Sequence, residues 1–517
     1  MGKKISKRSI VVLLILCLTI SVFSACSKPT ETQKQQQKET EQPTPSSSPE
    51  AKDKDPFPGA DLGGATIKVA GMQNPETADE AKKEMWQERA KTVEEKFNCK
   101  LKFDALEGIE WNDVPSKIVA SIAAGEPILD FGEMSRYYIS DLVTNDSILD
   151  VTKEVQSFGF PKAYYKGGCQ WSKKTIGFSR NPMLPFSIIV YNRDMIKAAG
   201  MEKTPGEMFA EGKWSLTDFH DYLAELKTKL PEGVNVFGTH ALNWIRGAAY
   251  ANDATIMDPE TYVPTYNTEA FYEGVEAFQK LVAEGLAVNA TEVTRDDGTI
   301  GYDWNPAQEG FKEGKLALCH GDDWNFEGFA SAFDFGVVPY PWGSKVTIQN
   351  NDYKTLSDNY HSYIKDAGVY VIVKGADKKA TPEQYMNLLF SYLQEEGKLL
   401  LTNRKKEAKG EMVGPSDVGT PRNFTTDLDI ELWDWYRSRG KFEPSDTTAQ
   451  SNVLFRALYE VCATNKNARS AFEAVIGEDT YALVEAGLVD VNNLSPELKS
   501  EMEAYAVTAT PTPAPKK

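Results

Sequence analysis

Asp322, Asp323 and Trp324 are consecutive, a few residues past the apolar run Leu316 to Leu318. Carboxylates beside a flat ring can accept hydrogen bonds from hydroxyls while the ring stacks on C–H faces, a combination suited to a polyhydroxylated molecule. The same mixture recurs. Glu133, Arg136, Tyr137 and Tyr138 follow the run Ile128 to Phe131, and Asn243 and Trp244 follow Phe237 to His240. Gln73 and Asn74 follow the first apolar segment. Trp304 stands in a polar stretch, and Trp433 in a helical pattern near the C-terminus. Most large aromatics in any domain are core, so position decides between binding and packing. Residues just past strand ends lie where open α/β sheets hold ligands. Trp304 and Trp433 have weaker positions, and surface or packing roles stand beside the binding role.

Motifs for other chemistry are missing. There is no GxxxxGK[ST] loop, no GxSxG elbow and no HExxH pair. The four histidines, His220, His240, His320 and His361, are far apart and outline no metal site. No catalytic residue, metal or cofactor is therefore expected. A glycosidase needs only two well-placed carboxylates, and 75 acidic residues leave that alternative open.

The elements that must position these residues alternate between strand and helix. Ile67 and Val69 alternate with polar neighbours, and Trp86, Ala90, Val93 and Phe97 recur at helical spacing. Cys99, Leu101 and Phe103 mark a second strand, and Val114, Ile118 and Ile122 a second helix closed by Gly125. Further strands are expected at Ile128 to Phe131, Ser187 to Asn192, Leu316 to Leu318, Phe335 to Val338 and Val369 to Val373. Ser215 and Asp218 form a capping box ahead of one helix, and Thr381-Pro382 opens another. Alternation of this kind implies an α/β fold with largely parallel sheets.

The ends of the chain have a different composition. Lys3, Lys4, Lys7 and Arg8 precede an apolar run, Ile10 to Ile20, too short to span a membrane but of signal-peptide length. Phe23-Ser24-Ala25-Cys26 resembles a bacterial lipobox, which implies a signal peptide over 1–25 and lipidation of Cys26. Residues 26–58 are rich in Gln, Glu, Lys, Thr, Ser and Pro and read as a disordered tether whose ends lie roughly 30 Å apart. Residues 507–517 read as a disordered tail. The net charge is −18, and loss of the four cations in 1–25 takes it to −22. Such a balance argues against nucleic acid as a partner. Cys99, Cys169, Cys319 and Cys462 form no CxxC pair, so they suggest no zinc site and fix no disulfide pairing.

Taken in order, several segments resemble the extracellular solute-binding proteins of family one, the sugar-binding lipoproteins of ABC importers. They are Thr66-Ile-Lys-Val-Ala70, Val93-Glu-Glu-Lys-Phe97 and Ile118 to Gly125 with Pro127-Ile-Leu-Asp-Phe131. Val190-Tyr-Asn-Arg-Asp-Met-Ile-Lys-Ala-Ala-Gly200 and Trp214-Ser-Leu-Thr-Asp-Phe219 follow. Phe311 to Leu318, Gly321-Asp-Asp-Trp324 and Gly336-Val-Val-Pro-Tyr-Pro341 complete the set. The resemblance implies a two-lobe clamshell with a hinge crossed more than once, near Pro185-Phe186-Ser187 and again near Lys365-Asp366-Ala367. Lobe one would be 59–185 plus 368–420, and lobe two 186–367 plus 421–506. It implies a carbohydrate ligand, an oligosaccharide, held between the lobes, and it makes Trp324 the family tryptophan that stacks on it. It further implies a monomer anchored by lipid on the outer face of the cell membrane, with ABC permease subunits as partners. A secreted carbohydrate-active enzyme, a surface adhesin and a sensor subunit are the alternatives.

Overall fold

A computed structural model describes residues 55–289, 292–294, 300–302, 306–364, 368–411, 413, 423–445, 448 and 451–509. The expected signal peptide, Cys26, most of the tether, Trp304, the return crossing at 365–367 and all but the start of the tail lie outside the described residues.

Among the described residues there are fifteen short strands. The first three, β1 (Ala65–Ala70), β2 (Cys99–Lys102) and β3 (Phe131–Met134), precede two hairpin strands, β4 (Gln170–Trp171) and β5 (Lys174–Thr175). Then come β6 (Ser187–Asn192), β7 (Asn235–Thr239), β8 (Ala287–Asn289), β9 (Glu292–Thr294) and β10 (Ile300–Tyr302). The last five are β11 (Leu316–Asp322), β12 (Phe335–Val338), β13 (Ser362–Ile364), β14 (Val369–Ile372) and β15 (Gly440–Phe442).

They build two main sheets. One has the order β14-β3-β1-β2 and the other β12-β6-β11-β7-β8. The expectation of largely parallel sheets needs correction, because both are mixed. In the first, β1 runs parallel to β2 and β3, while β14 is antiparallel. In the second, β11, β7 and β8 are parallel, while β6 lies antiparallel to both β11 and β12. The antiparallel pairs all involve β14 or β6, strands next to where the chain leaves one sheet for the other, so they are not made by the strand–helix–strand units that produce parallel pairs.

The sequence accounts for the centre of the second sheet. Every residue of β6 (SIIVYN) and of β11 (LALCHGD) is buried, as expected of inner strands covered on both faces. Ile188, Ile189 and Val190 are each fully enclosed, worth about 1.5–3 kcal/mol apiece. β6 ends at Asn192, whose side chain accepts the Met195 N–H at 2.9 Å and starts the helix Arg193–Ala198. The Ser215–Asp218 and Thr381–Gln384 capping boxes both form at the starts of Leu216–Lys229 and Pro382–Tyr392.

Two strand boundaries move. β3 begins at Phe131, where the pattern had suggested an end. Asp130 before it is buried, accepts the Lys68 N–H at 2.7 Å and pairs with Lys379 at 2.7 Å. β11 runs on to Asp322, four residues past the apolar run, because β6 pairs with it along that stretch.

The chain returns between the sheets through β13 and β15, which pair in parallel with Ser362 opposite Gly440 and Ile364 opposite Phe442. C-terminal helices Ser451–Thr464, Ala468–Glu485 and Pro496–Thr508 pack against one another and onto helix Glu269–Ala283, where the Phe271 and Phe472 rings meet at 5.0 Å. Among the described residues no helix is long and apolar enough to cross a membrane. Cys99, Cys169, Cys319 and Cys462 are all free thiols.

Candidate functional site

Parallel strands bring their carboxyl ends to one sheet edge, so the segments leaving them share a rim. In the first sheet these are 71–74 after β1, 103–111 after β2 and 135–138 after β3. Gln73 is exposed, and its neighbour Asn74 donates to Asp104 at 2.5 Å, tying the first two segments together. Ser135 accepts the Tyr137 N–H and shapes the short turn Arg136–Tyr138. That turn buries Tyr138 and leaves Tyr137 at the surface. The Tyr138 ring backs Trp111 at 4.8 Å, and Trp111 is 59% exposed. Burial holds the Tyr138 hydroxyl protonated, with a pKa pushed up to about 12. Glu133, at the edge of the same sheet, is half-buried and faces Arg180 at 3.9 Å.

Trp111 was not among the residues singled out from sequence. The signal was available, since it follows β2 as Gln73 follows β1, but the mixed segment 103–110 separates it from the strand and hides the relation.

The second sheet presents a matching edge. β11 ends at Asp322 beside the start of β6, with Asp322 opposite Ser187. Asp322 is buried. It accepts from the Ser187 hydroxyl and lies 3.2 Å from His320 Nε2, while His320 Nδ1 is 2.6 Å from the Tyr340 hydroxyl. Its backbone N–H donates to Asn325 at 3.0 Å, which closes the tight turn Asp323–Asn325. Asp322 is thus a positioning residue, with its carboxylate engaged inside the fold, where a ligand contact had been expected.

The turn it fixes projects Asp323 and Trp324 outward. Trp324 is 60% exposed and rests against Phe186 at 4.9 Å, while the Asp323 N–H donates to the Phe186 carbonyl at 3.0 Å. Asp323 reaches solvent, yet crowding by protein and the neighbouring Asp322 raise its pKa, and the Arg437 guanidinium opposes the rise. A ring held from behind and a carboxylate beside it offer stacking and hydrogen bonding together.

Four other expected contacts are buried in the core. Trp244 has no exposed surface, stacks between Phe219 (5.3 Å) and Phe278 (5.6 Å), and donates to the Gly274 carbonyl at 2.9 Å. The helix Ala241–Tyr250 that carries it is buried along its whole length, so Asn243 is enclosed as well. Trp433 is fully buried against Phe326. Arg136 is fully buried too, and its place is a junction. It donates to the Glu443 carbonyl at 3.0 Å and lies 4.2 Å over the Phe442 ring, which places the end of β3 against the end of β15. Tyr250, from the second-sheet side, donates to the Phe442 carbonyl at 3.0 Å. Burial raises the pKa of the enclosed Glu443 carboxyl, and the Arg246 charge opposes it.

Comparison with known proteins decides what such a pair of rims belongs to. The family model described as bacterial extracellular solute-binding protein matches residues 88–394, more than half of the chain. The chain belongs to this family. Among curated proteins none matches it. Solved structures do. An ABC substrate-binding protein of Listeria monocytogenes, Lmo0181, in complex with cycloalternan, is 16% identical with a TM-score of 0.54, covering 82% of this chain and 99% of that one. The galacto-N-biose-/lacto-N-biose I-binding protein of a Bifidobacterium longum ABC transporter, with lacto-N-biose, is 13% identical with a TM-score of 0.54, covering 83% and 99%. UgpB of Mycobacterium tuberculosis, with glycerophosphocholine, is 14% identical with a TM-score of 0.51, covering 81% and 99%. At these identities the likeness is one of fold, and it makes this solute-binding protein a two-lobe α/β clamshell.

Proposed function

We propose that this solute-binding protein captures a carbohydrate between its lobes and delivers it to the permease of an ABC importer. The observation that carries the reading is the pair of exposed tryptophans at strand-end rims, Trp111 on one sheet and Trp324 on the other. Each has a second ring behind it, Tyr138 and Phe186, which fixes its orientation before ligand arrives. Pre-oriented rings lose little freedom on binding, and stacking on the C–H face of a sugar uses them without need of charge. Asp323, Tyr137, Gln73 and Glu133 are the polar groups within the same rims. Two of the structural relatives were solved with saccharides bound, which agrees with this choice of solute.

In this reading lobe one is 59–185 with 368–420, and lobe two is 186–367 with 421–506. The open form admits ligand, and closure adds the second rim. A ligand drives closure only by binding the closed form better, so contacts from both rims are required. Lipid on Cys26 would hold a monomeric chain at the outer face of the cell membrane, with residues 26–58 as tether. A thermal-shift screen against an oligosaccharide panel, with a reducing-sugar assay on the same samples, tests the reading. Binding raises the melting temperature by mass action. The expected result is a clear rise for at least one oligosaccharide with no new reducing ends. Release of reducing ends would establish an enzyme instead.

A further inference from the structure

A cavity of about 770 Å³ opens where the two crossing strands, β13 and β15, meet the hairpin β4–β5. None of the rim residues Gln73, Trp111, Tyr137, Asp323 and Trp324 lines it. Its charge is anomalous for a chain of net charge −18. Lys162, Lys166, Lys173 and Lys441 line it, against a single lining carboxylate, Glu260. Elsewhere lysines are commonly paired, as Lys379 is with Asp130 and Lys203 with Glu211. Among the described residues none of these four ammonium groups has a carboxylate oxygen within 4.0 Å. Asp258, whose pKa Lys441 helps to lower, is occupied by hydrogen bonds from Thr261 and the Glu260 N–H.

The floor is fixed. Phe442 packs so closely on Gly167 that a Cβ there would lie 2.6 Å from the ring, and Gly167 has φ +77°, a conformation that favours glycine. The same ring takes the Arg136 guanidinium at 4.2 Å. Glu407 accepts the Lys162 backbone N–H at 3.1 Å but pairs with none of the four ammonium groups, and four cations around one concave floor hold a positive potential that a single exposed lysine does not. Among the lining residues there is no arginine, the side chain whose planar fork suits carboxylates. Lysine acts as a compact point charge and suits phosphate oxygens.

We propose that this pocket is a second binding site, for a multivalent phosphate-bearing anion, either a soluble solute or the headgroups of an anionic lipid surface.

Calorimetric titration of the full chain at low ionic strength tests it, with tripolyphosphate as the probe and citrate as the carboxylate comparator. Sedimentation with phosphatidylglycerol or phosphatidylcholine vesicles runs beside it. The expected result is tripolyphosphate binding stronger than citrate and weakened by added salt, or retention by phosphatidylglycerol vesicles alone. Either is expected to fall by about tenfold or more in Lys166→Gln/Lys173→Gln, two exposed positions whose loss leaves the fold intact. Tripolyphosphate binding identifies a soluble anion, and vesicle retention without it identifies a lipid source. Absence of both, or binding that the double variant leaves unchanged, overturns the proposal. Saccharide titration of the same variant separates the two sites, since its affinity is expected to be unaltered.

Discussion

Asp479 is a buried acid outside both sites, and substituting it gives a pH dependence that follows from its surroundings. It lies on the inner face of helix Ala468–Glu485, 1% exposed, with one oxygen accepting from the Tyr266 hydroxyl at 3.0 Å and the other without a hydrogen-bond partner among the described residues. Burial pushes its pKa up to about 7 from an ordinary 3.8, and the Tyr266 hydrogen bond offsets only part of that. In the unfolded chain the group titrates near its ordinary value. Below about pH 4 it is protonated in both states, and its environment costs nothing extra. Between there and about pH 7 the folded chain holds a proton that the unfolded chain has released, so stability falls as pH rises. The interval is about three pH units, at about 1.4 kcal/mol each, giving a loss of about 4 kcal/mol by pH 8. Asp479→Asn keeps the shape and an acceptor for Tyr266 but cannot ionise. Urea denaturation of both proteins at several values between about pH 4 and pH 8 isolates this group, because all other titrations cancel in the difference. The variant's advantage is expected to grow with pH by several kcal/mol. A difference independent of pH would mean that the carboxylate is ionised and satisfied inside the fold.

Other outcomes follow from the same structure. Arg136→Leu is expected to lose about 1–3 kcal/mol of stability in chemical denaturation, since it leaves the buried Glu443 carbonyl without its charged donor and removes the cation from the Phe442 ring. A change within about 0.5 kcal/mol would return Arg136 to the list of cleft residues. Cys26→Ala is expected to release the protein from membranes in cell fractionation and to abolish palmitate labelling; a variant that still pellets and labels contradicts the anchor. Small-angle scattering is expected to show a smaller radius of gyration at saturating saccharide, and an unchanged profile would count against closure.

The fold was legible where local chemistry repeats. Ser187 to Asn192, the capping box at Ser215 and the helix start at Thr381-Pro382 follow from apolar runs and cap residues. The extension of β11 to Asp322 was not, because Cys319, His320 and Gly321 form no apolar pattern of their own and are held by β6 and Tyr340. The site was legible only in part. Trp244 and Trp324 both follow strands, but the helix after β7 turns Trp244 inward, whereas the tight turn after β11 turns Trp324 outward. Arg136 has a cleft residue's sequence position, yet its partner lies 307 residues away, a distance that local pattern does not bridge.

If two aromatic rims grip one saccharide, calorimetric titration with the oligosaccharide that most stabilises the protein registers the loss of either ring. Wild type is expected to bind at about −8 kcal/mol, a micromolar affinity suited to uptake. Trp111→Ala and Trp324→Ala are each expected to weaken binding by about 1–3 kcal/mol while leaving the melting of the unliganded protein nearly unchanged, since both rings are more exposed than buried. Absence of binding by any oligosaccharide, or full affinity in the variant lacking both rings, would contradict the account.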